Sequence, residues 1–389
     1  MLHSPRLAND RPTRSVRTAE RRCEQVAPWR FPACRAEITT DWLLNTLQPH
    51  PSFRRDPIAA VRLSDLGDGI GQLSALTLAE LTCRSGARRT LVVKIQAPVP
   101  EMHEVALSYG HYESEVGFYG QMAREVRLRT PEIYVCALDQ ARNRVLIVME
   151  AFTDWHSPDQ LEGATAEEVA IATRALSSLA STYWESPPLK RFPWLKTATS
   201  PAFASMPSDY AACVPELLTR FEARWPANAS ATLDRISAGY AGLQQAVATG
   251  TQVLAHFDFR VENLFFGPDG SLAVIDWQLM HMNNPANDLA YLLATNVDVS
   301  LRRDIERDMM HLYLEGLREC GIVGYGLAEL ERDFRLALLY ISVIPVIGGA
   351  NADMGNARSA ALFEIMGGRL LTAIEDWQAL DALGSIASA

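Results

Sequence analysis

The stretch His256-Phe257-Asp258-Phe259-Arg260-Val261-Glu262-Asn263 is followed by Leu272-Ala273-Val274-Ile275 and then Asp276-Trp277-Gln278. Between them, Gly267-Pro268-Asp269-Gly270 is a turn-forming tetrapeptide flanked by apolar residues, which predicts a β-hairpin. An H-x-D-x-x-x-x-N loop, a hairpin and a second Asp form the arrangement that phosphoryl transfer uses. Moving a γ-phosphoryl group requires a carboxylate that orients the attacking hydroxyl and accepts its proton. It also requires hard oxygen ligands nearby for magnesium. The spacing offers Asp258 as the base. Once the hairpin folds back, it brings Asn263 and Asp276 together as the metal ligands. The alternative is a surface loop with an ordinary Asp.

Two residues after Asp258, Arg260 is placed to reach a migrating phosphoryl group and offset its charge. A solvated Arg, or one paired to Glu262, fits the sequence equally well. His256 reads as a loop-holding hydrogen-bonding residue. Asp288, in Pro285-Ala286-Asn287-Asp288-Leu289-Ala290-Tyr291, opens a helix and reads as a cap or as a tie to the loop.

A glycine-rich turn, Leu66-Gly67-Asp68-Gly69-Ile70-Gly71-Gln72, lies upstream between two predicted strands. Gly67, Gly69 and Gly71 would let backbone N–H groups approach phosphates closely, although a plain hairpin turn has the same look. Lys94 stands in the apolar strand Leu91-Val92-Val93-Lys94-Ile95, where a lysine is costly without a partner. Glu115 is the expected partner. Glu113, roughly 160° away on a helical wheel, then faces elsewhere. An edge-strand lysine turned to solvent is the alternative. The run from Val145 to Phe152 is a buried strand entering a boundary, where Glu150 and Phe152 could offer backbone groups to adenine.

Taken together, the segments from His256 to Asn263, from Val274 to Gln278 and from Asn284 to Leu293 resemble the aminoglycoside phosphotransferase and choline kinase superfamily. They are most similar to its ecdysteroid-kinase-like (CHK-kinase-like) branch, on the strength of the Asp276-Trp277-Gln278 triplet. The resemblance runs from about residue 39 to 317. It implies a bilobal protein-kinase-like fold, MgATP as donor and a small-molecule hydroxyl as acceptor. It places Asp258 on the base, Asn263 and Asp276 on the metal ligands and Lys94 on the phosphate-binding lysine. The sequence departs from the family at Phe257, where Gly is usual, and at Arg260, where the branch commonly has Trp.

The coarse pattern agrees with an α+β fold. Strands are expected at 61–66, 75–81, 89–96, 133–138 and 144–150, with one helix at 104–125. Helices then follow at 165–183, 208–224, 229–249, 287–296, 302–320, 327–347 and 357–382. This divides the chain into an Arg-rich flexible tail (1–36), an N-lobe (37–152) and a helical C-lobe (153–389). The 389 residues suit two lobes. A net charge of −10 argues against nucleic acid as a partner. The six cysteines are scattered, which predicts reduced thiols and a cytoplasmic protein without a zinc site. The most apolar run, 336–347, reads as too short for a membrane span and contains Pro345. Candidates for the acceptor pocket are His281, Met282 and Asn283 and the stretch 340–353, although core helix accounts better for most of these residues. Its apolar character favours an apolar or amphipathic alcohol. An aminoglycoside-type antibiotic kinase and a nucleotide-binding pseudokinase scaffold are the other readings.

Overall fold

A computed structural model describes residues 30–66 and 73–386 of the chain. The glycine-rich turn with Gly67, Gly69 and Gly71 lies outside the described residues, as does the Arg-rich stretch before residue 30. The described residues from Phe31 on belong to one compact unit.

Two short helices, α1 (Thr40–Leu47) and α2 (Pro51–Arg55), precede five strands: β1 (Ile58–Asp65), β2 (Ser74–Cys83), β3 (Arg88–Gln96), β4 (Ile133–Asp139) and β5 (Arg144–Glu150). They form an antiparallel sheet in the order β1-β2-β3-β5-β4. The apolar runs are its innermost strands, and β5 is buried from Val145 to Met149. Because β3 lies between β2 and β5, Lys94 is opposite Leu76 on one side and Ile147 on the other. It is therefore not an edge lysine. Residues 31–36, assigned to the flexible tail, are packed on this lobe. Gln96 Nε2 donates to the Pro32 and Ala33 carbonyls, and Arg144 donates to that of Phe31.

The single helix expected at 104–125 is broken. It consists of α3 (Pro100–Ser108), α4 (His111–Gly117) and a π turn over Phe118–Met122. The break is at Gly110, whose φ is 66°, and a side chain there would come within 2.8 Å of the Lys196 terminus. Glycine meets both demands. The break rotates α4 independently of α3, so that Glu115 is fully buried.

The second lobe is helical, with α5 (Ala166–Ser181), α6 (Met206–Phe221), α7 (Ala229–Val247), α8 (Asn287–Asn296), α9 (Val299–Glu319), α10 (Leu327–Tyr340), α11 (Val343–Ala350), α12 (Ala357–Asp376) and α13 (Asp381–Ile386). Every residue of α8 is buried, which makes it the axis around which α5, α9, α10 and α12 pack. The region 327–350 corrects the sequence reading twice. The chain breaks at Ile341 and Ser342, giving two helices. The whole stretch is also long and apolar enough by composition to cross a membrane, but 72% of its most apolar window is buried inside the protein. It packs against α6, α7, α8 and α12 as core. Four short strands complete the lobe: β6 (Val253–Ala255), β7 (Leu264–Phe266), β8 (Leu272–Val274) and β9 (His281–Asn283), paired β6 with β9 and β7 with β8.

Candidate active site

The hairpin forms where the turn residues predict it, with Leu264 opposite Val274 and Gly270 at a φ of 77°. At its base, the Ile275 N–H donates to the Asn263 carbonyl at 3.0 Å. This single bond makes Asn263 and Asp276 neighbours. The loop before the hairpin is held from below by Asp288. One of its oxygens accepts the His256 N–H at 2.6 Å and the other accepts the Phe257 N–H at 2.9 Å. His256 works from within the loop, its Nε2 donating to the Ile275 carbonyl at 2.9 Å while Nδ1 accepts the Asp258 N–H at 3.3 Å. It is buried and its pKa is lowered, chiefly by desolvation, which suits a neutral structural imidazole. Phe257 has a φ of 66°, a conformation that bulky residues rarely adopt. Glycine would enter it freely, which gives a physical sense to the family's usual residue. Here the ring packs against His281 and Tyr340 instead.

Asp258 ends this loop, with only 8% of its surface exposed. Tyr291 donates to Oδ1 at 3.0 Å and Asn263 Nδ2 donates to Oδ2 at 3.1 Å. Burial raises its pKa, against the opposing pull of Arg260, and the nearby Asp276 pushes in the same direction as burial. Arg260 stands between two carboxylates, 3.7 Å from Asp258 and 3.5 Å from Glu262. Burial alone would depress the Arg260 pKa, but these two anions raise it. The pairing of Arg260 to Glu262 that the sequence allowed is thus present, and the guanidinium also sits beside Asp258.

On the sheet side of the site, Lys94 Nζ bonds both Glu115 Oε1 and Asp276 Oδ1 at 2.8 Å. Burial works against the lysine's charge, and the two carboxylates outweigh it and raise its pKa. Burial also pushes Asp276 upward, but Lys94 reverses this and holds the carboxyl below its ordinary range. Asp276 therefore stays ionised. It has a φ of 65°, a further strained position in this loop. The ring that follows it, Trp277, stacks on Phe118 of the π turn at 3.8 Å and 10°. The helix carrying Glu115 is thereby clamped to the segment carrying Asp276.

Magnesium fits this donor set. The Asn263 amide nitrogen is turned to Asp258, bonding its carbonyl at 2.9 Å as well as its carboxylate. Its carbonyl oxygen is left as a neutral ligand beside the charged Asp276. Among the described residues, no cluster of three or more His, Cys, Asp and Glu could hold an ion by itself. Two protein oxygens, completed by phosphate and water, are the way magnesium is commonly held. The buried Arg260 Nε has no hydrogen-bond partner, which leaves a donor for an anion.

Other predicted residues have different surroundings from those expected. The Glu150 carboxylate is tied to Arg129 at 2.6 Å and to the Glu132 N–H at 2.9 Å, and the Glu150 N–H donates to the Glu132 carbonyl at 2.9 Å, so neither its side chain nor its N–H is left for a nucleotide. Phe152 is buried between Trp155 and Phe265. His281, Met282 and Asn283 form β9 and are buried, and Tyr340 is fully enclosed, so these residues do not line an open acceptor pocket. Two contributors were missed. Tyr291 lies one helical turn after Asp288 and so shares its loop-facing side, a signal that was available. Arg358, at the start of α12, bonds Glu262 at 2.5 Å, and nothing local in the sequence announces it.

The sequence model of the phosphotransferase enzyme family, APH, matches residues 82–321. A mouse (Mus musculus) protein, acyl-CoA dehydrogenase family member 10, is 32% identical over 96 residues, which are 24% of this chain and 8% of that protein. The chain thus spans under a tenth of that relative's length. A Ralstonia eutropha structure classed by name with the aminoglycoside phosphotransferases has a TM-score of 0.50 at 14% identity, over 85% of this chain and 96% of that one. The macrolide 2'-phosphotransferase MphH of Brachybacterium faecium gives a TM-score of 0.48 at 16% identity, over 84% and 97%. With the fold, the paired carboxylates and the lysine in place, the chain belongs to the phosphotransferase enzyme family.

Proposed function

We propose that this enzyme transfers the γ-phosphoryl group of MgATP to a hydroxyl of a small-molecule acceptor. The observation that carries this reading is the convergence in one cleft of Lys94 on Asp276, Asn263 on Asp258, and Arg260 beside the base. Asp258 accepts the acceptor's hydroxyl proton as the oxygen–phosphorus bond forms. The bond from phosphorus to the bridging oxygen breaks, and ADP leaves. Arg260 offsets charge on the group in transit. Lys94 holds the α- and β-phosphates, and the Glu150 carbonyl and Phe152 N–H would meet adenine. Asn263 and Asp276 would hold magnesium, which neutralises phosphate charge when bound.

Beside the base, Glu262 is shared by Arg260 and Arg358, and Asp159 is forked by Arg358. Carboxylates already matched by arginines suit an apolar or amphipathic alcohol better than a polycation. With His281, Met282, Asn283 and Tyr340 inside the core, this charge pairing is the main support for that choice. The Asp276-Trp277-Gln278 triplet supports placement in the ecdysteroid-kinase-like branch. Incubating the protein with MgATP and a broad panel of alcohols and aminoglycosides tests the proposal. Asp258→Asn should lower turnover by ~10²–10⁴-fold while ATP still binds. Full activity in that variant would remove Asp258 as the base, and no transfer to any acceptor would favour a scaffold.

A further inference from the structure

We propose that Arg358 is a positioning residue for Arg260, holding Glu262 so that it does not draw the Arg260 guanidinium away from the base. The inference rests on the phosphotransfer reading above. Arg260 lies 3.7 Å from Asp258 through its Nε and 3.5 Å from Glu262 through Nη1, closed on neither, and the buried Nε makes no hydrogen bond. Such an intermediate placement needs an explanation, because Glu262 is the less encumbered of the two anions. Asp258 already accepts bonds from Tyr291 and Asn263. Left alone, Glu262 would be free to close on the guanidinium and compete with Asp258 for it.

Arg358 supplies the restraint. Its Nη2 bonds Glu262 Oε1 at 2.5 Å, and its fork engages both oxygens of Asp159 at 2.9 and 2.8 Å. Asp159 is itself fixed, one oxygen accepting the Leu161 N–H at 2.9 Å. The same strap reaches the catalytic loop through Ser157 Oγ, which donates to the Val261 and Glu262 carbonyls at 3.3 and 3.4 Å. Asn356 caps α12 by accepting the Arg358 and Ser359 N–H groups, which sets where the arginine starts. An isolated exposed ion pair does little. A bidentate arginine spanning two carboxylates has a defined geometry and can hold one of them in place.

The test compares binding of MgADP with that of MgADP–aluminium fluoride, a mimic of the group in transit, by calorimetry. Arg358→Gln should weaken the mimic about tenfold, a small share of what an arginine at the transferring group commands, with MgADP unchanged. Glu262→Gln alone should bind the mimic like wild type. Adding Glu262→Gln to Arg358→Gln should restore affinity to within about twofold of wild type, because no carboxylate remains to capture Arg260. Arg358→Lys should fall in between. A double variant as weak as Arg358→Gln would overturn the proposal, as that is the result expected if Arg358 merely anchors α12. So would a marked loss in Glu262→Gln, which does not depend on Arg358→Gln folding. If wild type bound no MgADP, the nucleotide reading itself would fall and this proposal with it. Intact MgADP binding beside an unrestored double variant would sink this proposal alone.

Discussion

Tyr291 donates its hydroxyl to Oδ1 of Asp258 at 3.0 Å from inside α8, a helix whose every residue is buried. Burial and the neighbouring carboxylate hold the phenol protonated far above its ordinary pKa, so it acts as a permanent donor. A donor on a carboxylate favours the ionised form. Tyr291→Phe should therefore raise the pKa of Asp258, and since the base must be ionised, the acid limb of the kcat–pH profile should move to higher pH. About one pH unit is expected, the size of a hydrogen bond to a charged group. A purely packing role for Tyr291 would leave that limb where it is.

The stacking of Trp277 on Phe118 ties the two halves of the Lys94 site together. Phe118 follows Glu115 by one helical turn and Trp277 follows Asp276 directly, so the stack sets the gap that Lys94 spans. Trp277 is wholly buried, and its indole N–H donates to the Val274 carbonyl. Trp277→Ala should cost about 3–5 kcal/mol in urea unfolding. Under conditions where the variant is still folded, its Kd for ATP should also rise. Destabilisation with unchanged ATP affinity would show that the stack is core packing without influence on the site.

Asp288 supplies the acceptors for the backbone N–H groups of His256 and Phe257 in the loop before the hairpin. Asp288→Ala would leave the N–H groups of His256 and Phe257 buried and unpaired, at about 1–3 kcal/mol each. It would also release Phe257 from its strained φ of 66°. Activity should fall along with stability, as measured by turnover and urea unfolding. Asp288→Asn keeps one acceptor oxygen and should lose roughly half as much stability.

How much of this was legible in the sequence depended on the range of each interaction. The strands β3 and β5 and the hairpin around Gly267-Pro268-Asp269-Gly270 are local patterns, and they form within a residue or two of expectation. Helical geometry showed only that Glu113 and Glu115 cannot both serve, and Lys94 bonds Glu115, the one expected. The break at Gly110 escaped because a lone glycine in a helical pattern is tolerated unless something presses on it. What presses is Lys196, which is distant in sequence. The ties to Arg358 escaped for the same reason. It meets Glu262 across 96 positions, and periodicity carries no information on such pairings. The apolar stretch from 340 onward read either as pocket lining or as core helix, and the structure makes Tyr340, Ile341, Val343 and Val346 core; composition reports burial without saying whether core or ligand provides it.

His111 lies at the start of α4, its Nδ1 bonded to the Gln278 carbonyl at 3.2 Å, two residues after Asp276. Desolvation, aided by the nearby charge of Lys196, lowers its pKa to about 3, with Asp276 pulling weakly the other way. His281, close by, is lowered to about 4, chiefly by burial. Both rings are neutral in the folded protein at pH values where an unfolded chain, with an ordinary pKa near 6.5, takes up protons. The unfolded state then binds more protons, so stability rises with pH in this window. It is fully present above pH 6.5 and is lost as pH falls towards the folded values. For His111 the slope is about 1.4 kcal/mol per pH unit below 6.5. His111→Asn keeps a donor for the Gln278 carbonyl and removes the titration. Urea unfolding of wild type and variant at pH 7, 6 and 5 should give stabilities that converge, or cross, as the pH drops. Parallel curves would mean that His111 takes its proton in the folded protein as readily as in the unfolded chain.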